Sequence, residues 1–141
     1  MSIHFEIVSR GLKASRTRLE VAASNLANIE TTKTQNGEPY REKHVIQQSV
    51  PIKKFESELE NFSIEAPLIT KVVTSEKPPR LVFDPEHPDA DERGFVKYPD
   101  INPVQIMVDV ISASKIYQAN VETLRTFSEM SQSIRELLRS T

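Results

Sequence analysis

The densest cluster of side chains able to do acid–base or metal chemistry runs from Asp84 to Glu92, with five carboxylates and one histidine in nine residues. A calcium loop of the EF-hand type would need a central glycine and a distal glutamate, and both are missing. No second histidine or aspartate motif supports a hydrolytic metal centre. Pro85 and Pro88 hold the backbone extended. We therefore predict an exposed acidic loop, and metal binding remains the less favoured alternative.

The remaining reactive residue types do not form a site. His4 and His44 stand alone in the sequence, with no nucleophile near them. The chain has no cysteine, which excludes disulfides, thiol catalysis and cysteine-bound zinc. Its three glycines are too far apart to form a phosphate-binding loop. The sequence thus predicts no catalytic residue, no cofactor and no metal, and a protein that is not an enzyme.

The charge balance limits the classes of partner. Lys and Arg number 18 against 20 Asp and Glu, and this near-neutral balance argues against nucleic-acid binding. No apolar window is long enough to span a membrane, and residues 1–10 lack the apolar stretch of a secretory signal. A local basic run comprises Arg10, Lys13, Arg16 and Arg18. A solvated helix face is the favoured interpretation of this run, with an acidic or phosphate partner as the alternative.

The prolines divide the chain into three parts. All nine lie between Pro39 and Pro103, and proline breaks helix interiors. We therefore expect residues 1–37 and 102–141 to form a helical inner domain and residues 38–101 to form a β-rich insert that packs outside it. The predicted fold is mainly α with a small β-rich insert.

Apolar residues spaced alternately three and four positions apart run along both ends, as in helices of a coiled coil. The N-terminal seam comprises Phe5, Val8, Leu12, Leu19, Ala22, Leu26 and Ile29, with Ser15 as its polar member. The C-terminal seam comprises Ile106, Val110, Ala113, Tyr117, Asn120, Leu124, Phe127, Ile134 and Leu138, with Ser131 between the last aromatic and Ile134. A second apolar line adds Met107, Ile111, Val121, Met130 and Leu137. We predict a coiled-coil-like helix pair whose seams also pack against helices of other copies or other proteins.

Two residues of the C-terminal segment carry further expectations. Asn102 followed by Pro103 is a strong helix start, since Asn is a favoured N-cap and Pro is favoured at the first helical position. Asn120 is polar within the seam. It either fixes the helix register as a buried amide or lies at the edge of the stripe in solvent, and the sequence leaves both open.

The middle segment reads as short strands and turns. His44–Val50 and Leu68–Val73 are rich in β-forming residues. Arg80–Phe83 and Phe95–Tyr98 are expected to pair as a hairpin across a long connection. The charged stretch Lys53–Phe62 is expected to form a short helix or a mobile loop. Together these elements predict a small β-rich lobe that leans on the two helices.

Several strings resemble a known family. Ser24 to Thr31 reads Ser-Asn-Leu-Ala-Asn-Ile-Glu-Thr and resembles a signature of bacterial flagellar rod and hook proteins. Gly37 to Lys43 resembles the G-x-P-Y-R-x-K stretch of the FlgC family of proximal rod proteins. The matching residues include Asn25, Leu26, Ala27, Asn28, Pro39, Tyr40, Arg41, Tyr117, Ala119 and Asn120. The chain departs from the family pattern at Phe95, Asp100 and Ile106, where Tyr, Asn and an acidic residue are usual.

The resemblance implies a structural axial subunit of the flagellar basal body, in the periplasmic rod. Such proteins are exported from the cytoplasm by the flagellar type III apparatus and assemble helically into a hollow drive shaft that transmits motor torque. The implied partners are other copies, other rod proteins, and the membrane-ring and export-gate adaptor proteins at the rod base. The terminal helices are expected to be disordered before assembly. The alternative function is a soluble helical adapter or export chaperone of the flagellar secretion system.

Overall fold

The computed structural model describes residues 3–54 and 63–139. In chain order the elements are helix α1 (Ile3–Ala27), strands β1 (Lys43–Lys54), β2 (Ser63–Thr74), β3 (Arg80–Phe83) and β4 (Phe95–Tyr98), and helix α2 (Pro103–Arg139). Two long terminal helices thus flank, in sequence, a small insert of antiparallel strands. This arrangement confirms the predicted fold class, mainly α with a small β-rich insert.

The two helices pack side by side in antiparallel directions. His4 near the start of α1 stacks on Phe127 of α2 at 5.5 Å between ring centroids. Further along, Gly11 of α1 faces the side chain of Asn120, so that a Cβ atom at Gly11 would lie 3.0 Å from its amide. Because α2 has 37 residues and α1 has 25, α2 continues past the start of α1. We call this protruding part of α2, residues 128–139, the tip; it is about 18 Å long.

Helix α2 begins where the sequence predicts. The Asn102 Oδ1 atom accepts the N–H of Val104 at 3.0 Å and that of Gln105 at 3.4 Å. Its backbone carbonyl accepts the N–H of Ile106 at 3.1 Å. Pro103 fills the first helical position, where the missing N–H costs nothing. Asn102 is therefore the N-cap.

Strands β1 and β2 form a two-stranded antiparallel ribbon, with Lys43 opposite Thr74 and Lys54 opposite Ser63. Both strands are longer than the β-rich runs in the sequence, because backbone pairing continues past the residues with high β propensity. The expectation of a helix or loop over Lys53–Phe62 is therefore wrong at Lys53 and Lys54, which belong to β1. The rest of that stretch, 55–62, lies outside the described residues.

Strands β3 and β4 pair as the expected hairpin, with Arg80 opposite Tyr98 and Phe83 opposite Phe95. The rings of Phe83 and Phe95 meet edge to face at 5.4 Å between centroids. Val96 on the other face of the hairpin is fully buried.

The main apolar cluster lies where the end of α1 meets the start of α2. Its buried members are Ala22, Ile101 and Ile106. The half-buried side chains of Ile29, Tyr40 and Val110 surround them. In the part of the chain that the structure describes, neither helix has an apolar stretch long enough to cross a membrane.

Candidate assembly interface

Asn25 joins helix α1 to the first strand. Its side chain is only 2% exposed. Its Nδ2 donates to the backbone carbonyl of Lys43 at 2.8 Å, and its Oδ1 accepts the backbone N–H of Lys43 at 2.9 Å. The same oxygen accepts the hydroxyl of Tyr40 at 3.0 Å, and Ser24 Oγ lies 3.2 Å from that hydroxyl. The Asn25 amide therefore pairs with both backbone groups of Lys43, as a neighbouring strand would. This pairing holds the first residue of β1 against α1.

Asn28 ends α1. Its Nδ2 donates to the carbonyl of Ser24 at 2.8 Å, and its Oδ1 accepts the Thr31 hydroxyl at 3.2 Å. Beyond it, Tyr40 returns to Thr31 through a backbone hydrogen bond of 3.0 Å. Together these contacts turn the chain from the helix toward the strand. The string that resembles rod proteins thus contains the residues that end α1 and start the insert.

The other residues of the strings that resemble rod proteins make fewer contacts within one subunit. Pro39 is half-buried and Arg41 is exposed, with a guanidinium nitrogen 3.8 Å from a Glu38 carboxylate. Leu26, Ala27 and Ala119 are exposed. Their exposure leaves them available to neighbouring molecules.

The predicted seam is only partly used within the subunit. Four of its apolar residues are buried: Val8, Ala22, Ile106 and Ala113. Six more are half-buried in or beside the helix interface: Leu12, Leu19, Ile29, Val110, Leu124 and Phe127. Asn120 is half-buried against Gly11. Its burial is intermediate between the buried amide and the solvent-exposed edge residue, the two alternatives that the sequence left open. The remaining seam residues are exposed: Phe5, Leu26, Tyr117, Ile134 and Leu138.

The tip carries the clearest exposed apolar face. Met130 and Ile134 are each 54% exposed and Leu138 is 73% exposed. Their four-residue spacing places them along one side of the helix. No described residue of α1 is opposite them in the antiparallel pair, since α1 begins beside Phe127, where His4 stacks on its ring. The tip therefore presents apolar surface that no other described part of the subunit covers.

The basic run on α1 is partly neutralised on the helix itself. Arg10 pairs with Glu6 at 2.7 Å and Arg16 pairs with Glu20 at 2.8 Å. The hydrogen bond to Glu20, followed by its charge, raises the pKa of Arg16. These one-turn pairs, half-buried at Arg10 and exposed at Arg16, fit a solvated helix face.

The acidic segment is a folded loop that contacts the segment following α1. Asp89 Oδ2 accepts the Thr32 hydroxyl at 2.7 Å, and its other oxygen lies 3.9 Å from the Lys33 ammonium. The Asp91 carboxylate accepts the backbone N–H groups of Phe95 and Arg93, each at 2.9 Å. Among the described residues, no group of three or more His, Asp or Glu side chains is placed to hold a metal ion.

The electrostatics of Asp91 follow from these bonds. The hydrogen bond from the Phe95 amide lowers the pKa of Asp91. Desolvation opposes this shift, whereas the Arg93 amide and the cations of Arg93 and Lys97 add to it. The carboxylate thus acts as a structural acceptor that closes the loop before β4.

The comparisons with known proteins agree along the chain. Residues 5–33 match a family model described as "Flagella basal body rod protein", and residues 92–137 match "Flagellar basal body rod FlgEFG protein C-terminal". The "Flagellar basal-body rod protein FlgC" of Escherichia coli O6:H1 is 39% identical over 126 residues, with 89% of each chain covered. The chain belongs to the FlgC family of flagellar basal-body rod proteins.

Two further FlgC relatives support this membership. The protein of Salmonella typhimurium is 38% identical over 134 residues, with 89% of each chain covered. That of Borreliella burgdorferi is 33% identical over 143 residues, with 94% of each chain covered. This FlgC-family chain is therefore a structural rod subunit of the flagellar basal body, and its family assembles with other rod proteins.

Sequence reasoning missed two contacts of the FlgC-family chain. It placed Asn25 in the family string but did not predict its backbone pairing with Lys43. An Asn inside a helix, where its propensity is poor, was the available signal. It also predicted an exposed acidic loop but not the contact that Asp89 makes with Thr32 across 57 residues of sequence. No local pattern marks that pairing.

Proposed function

We propose that this chain is a subunit of the proximal rod and that its helices polymerise with other copies and other rod proteins. The product is a hollow drive shaft that transmits motor torque. The observation that carries the proposal is the tip, whose apolar face at Met130, Ile134 and Leu138 is exposed in the single subunit. Burying such a face against neighbours stabilises by about 25 cal/mol per Å² of apolar area.

The helices and the insert have different positions in the proposed rod. We propose that residues 1–37 and 102–141 form the axial core, and that residues 38–101 lie outside it. Strands β1 and β2 both contact α1, which supports an insert held against one side of the helix pair. The Asn25–Lys43 pairing would hold the insert against this side of the helix pair, so that the other sides are free to contact neighbours.

Assembly and export are linked by the marginal stability of the helix pair. Ordering each residue costs about 1–2 kcal/mol of backbone entropy, and a helix with a narrow apolar seam is marginal alone. We propose that the subunit leaves the cytoplasm unfolded through the flagellar type III apparatus and orders its helices on assembly. At the rod base its partners would be the membrane-ring and export-gate adaptor proteins.

A mechanical role leaves no need for catalysis. We propose that the chain is not an enzyme, since its richest acidic segment is used for folding: Asp89 bonds Thr32, and Asp91 closes the loop before β4. The exposed seam residues carry the function instead.

The proposal is tested by placing a charge on the tip. Ile134→Asp should abolish motility and remove the chain from isolated basal bodies, because a buried unpaired carboxylate costs several kcal/mol. Export should persist, measured as the chain secreted into the medium or periplasm. The matched control is Gln132→Glu, which adds the same charge two residues away on another side of the helix and should leave motility intact.

Two results would argue against a rod subunit. Normal motility with Ile134→Asp would show that the tip is not buried in the rod. Absence of the wild-type chain from isolated basal bodies, with the protein retained in the cytoplasm, would favour the adapter or chaperone.

A further inference from the structure

Arg18 is the charged member of the stripe of side chains that α1 buries. The residues one or two turns from it on the same side of the helix are each at most 5% exposed: Ala14, Ser15, Ala22 and Asn25. Arg18 itself is half-buried. A guanidinium group does not lose its proton to avoid the cost of leaving water, so its burial in this stripe favours an anionic partner.

No described part of the subunit supplies that partner. Arg10 and Arg16, the other arginines of the basic run, pair with glutamates one turn away on α1. Among the described residues, Arg18 makes no ion pair and no side-chain hydrogen bond. The basic run therefore divides into paired arginines on the solvated face and one unpaired arginine on the covered face.

Arg18 lines a groove of about 230 Å³ between α1, α2 and the β1–β2 ribbon. Among the described residues that line this groove, it is the only one with an ionisable side chain. The amides of Gln47 and Asn120 also line the groove and can donate N–H groups to an oxygen atom. The apolar part of the lining includes Ile7, Pro67 and Ile116. A carboxylate on an aliphatic stem, as in Asp and Glu side chains, matches this combination of charge, donors and apolar wall.

Two carboxylates of the same chain share a second concavity with Arg18 but do not pair with it. This concavity of about 150 Å³ is lined by Arg18, Glu42 and Asp109, among others. The Glu42 carboxylate lies 3.6 Å from Nε2 of His44, and neither Glu42 nor Asp109 forms an ion pair with Arg18. The larger groove has no carboxylate among its described lining residues, so its positive charge is not balanced there.

We propose that Arg18 binds an Asp or Glu side chain of a neighbouring protein chain in the basal body, and that this side chain enters the larger groove. Arginine can hold a carboxylate through two parallel N–H···O bonds, which fixes the orientation of the incoming group. A free small carboxylate would gain little from one such contact. A side chain on a neighbour that is already held in place has a much higher effective concentration. The inference rests on the proposed rod function and adds the chemistry of one contact with a neighbour.

Carbodiimide coupling tests the contact, because this reagent joins an amine to a carboxylate when the two groups touch. The test variant is the full chain with Arg18→Lys, which keeps the positive charge. The matched control is Arg16→Lys, since the partner of Arg16 is Glu20 on the same helix. Basal bodies are isolated from cells that express each variant in place of the wild type and are treated with the reagent. Denaturing gels separate links between chains from links within one chain, and mass spectrometry identifies the joined residues.

The lysine at position 18 is expected to link to an acidic residue of a neighbouring chain. The lysine at position 16 is expected to link to Glu20 and to give at least ten-fold less product between chains. Links from position 18 that are confined to Glu42 or Asp109 of the same chain would overturn the proposal. The absence of any link from position 18, with position 16 linked to Glu20, would also overturn it. Both results would leave the rod function standing.

Charge exchange tests the same contact through motility. Arg18→Glu should reduce motility at least ten-fold, because it places a carboxylate against the carboxylate of the neighbour. Lys13→Glu makes the same change of charge at an exposed position of α1 and should leave motility near the wild-type level. Replacing the linked acidic residue of the neighbour by lysine should then raise the motility of the Arg18→Glu strain at least ten-fold.

Equal motility of the Arg18→Glu and Lys13→Glu strains would overturn the contact, and so would a failure of the exchanged charge to restore motility. Absence of the wild-type chain from basal bodies would instead reject the rod function itself.

Discussion

At Asn25 a single side chain determines how the insert leaves the helices. It supplies a donor and an acceptor to Lys43 and a second acceptor contact to Tyr40. The residue types in the family string were visible in the sequence, but the pairing was not, because it joins residues 18 apart through a backbone group that any residue provides. By contrast, the Asn102 cap was predictable, since capping uses only neighbouring residues.

Replacing Asn25 tests this junction. Asn25→Ala should lower the free energy of unfolding by about 2–4 kcal/mol, since it leaves the Lys43 N–H and carbonyl without their buried partner. Urea unfolding followed by circular dichroism measures the change, at a protein concentration where the chain is helical. Gln48→Ala on the exposed face of the ribbon is the control and should change stability by less than about 0.5 kcal/mol. An Asn25 variant as stable as this control would show that the pairing contributes nothing.

Asp91 gives the chain a predictable response to acid. Because the Phe95 amide lowers its pKa in the folded protein, this carboxylate stabilises the loop above its unfolded pKa of about 3.9. The stabilisation is lost as the pH falls through the lower, folded pKa. Carboxyl-carbon NMR titration should place the Asp91 pKa below about 3.9, and Asp91→Asn should remove this part of the acid response. A measured pKa at or above the ordinary value would contradict the hydrogen-bonded role.

At the scale of elements, the spacing of apolar residues predicted the helices and strands, because their formation depends on residues close together in sequence. The alternating three- and four-residue spacing identified both helices, and the β-rich runs identified all four strands. The strand ends at Lys53 and Lys54 were missed because cross-strand pairing extended β1 through residues of low β propensity.

Two glycines make a matched test of the turns. Gly37 and Gly94 have φ values of 78° and 80°, and each would cost about 1–2 kcal/mol on replacement by Ala. Only Gly94 also meets neighbours, with a new Cβ 3.0 Å from the Phe83 ring and 3.2 Å from Pro85. Gly94→Ala should therefore destabilise by about 1 kcal/mol or more beyond Gly37→Ala in urea unfolding. Equal losses would show that the β3–β4 hairpin relaxes around the added methyl group.

At the scale of the whole molecule, the chain is an incomplete packing unit. Its main apolar cluster lies at one end of the helix pair, around Ala22 and Ile106, whereas the tip at the other end is exposed. Sequence periodicity correctly placed Ile134 and Leu138 on an apolar seam but could not show which seam residues the subunit covers by itself. That distinction depends on helix lengths and register, with His4 opposite Phe127.

The central claim is that assembly buries the tip, and thiol labelling tests it most directly. Ile134→Cys in the otherwise cysteine-free chain is exposed to a maleimide reagent in the purified subunit and in isolated basal bodies, with Asn36→Cys in the exposed turn as the control. We predict that labelling of Cys at position 134 falls at least ten-fold in basal bodies, while the control labels equally in both. Equal labelling at position 134 in the free subunit and in the rod would contradict the account.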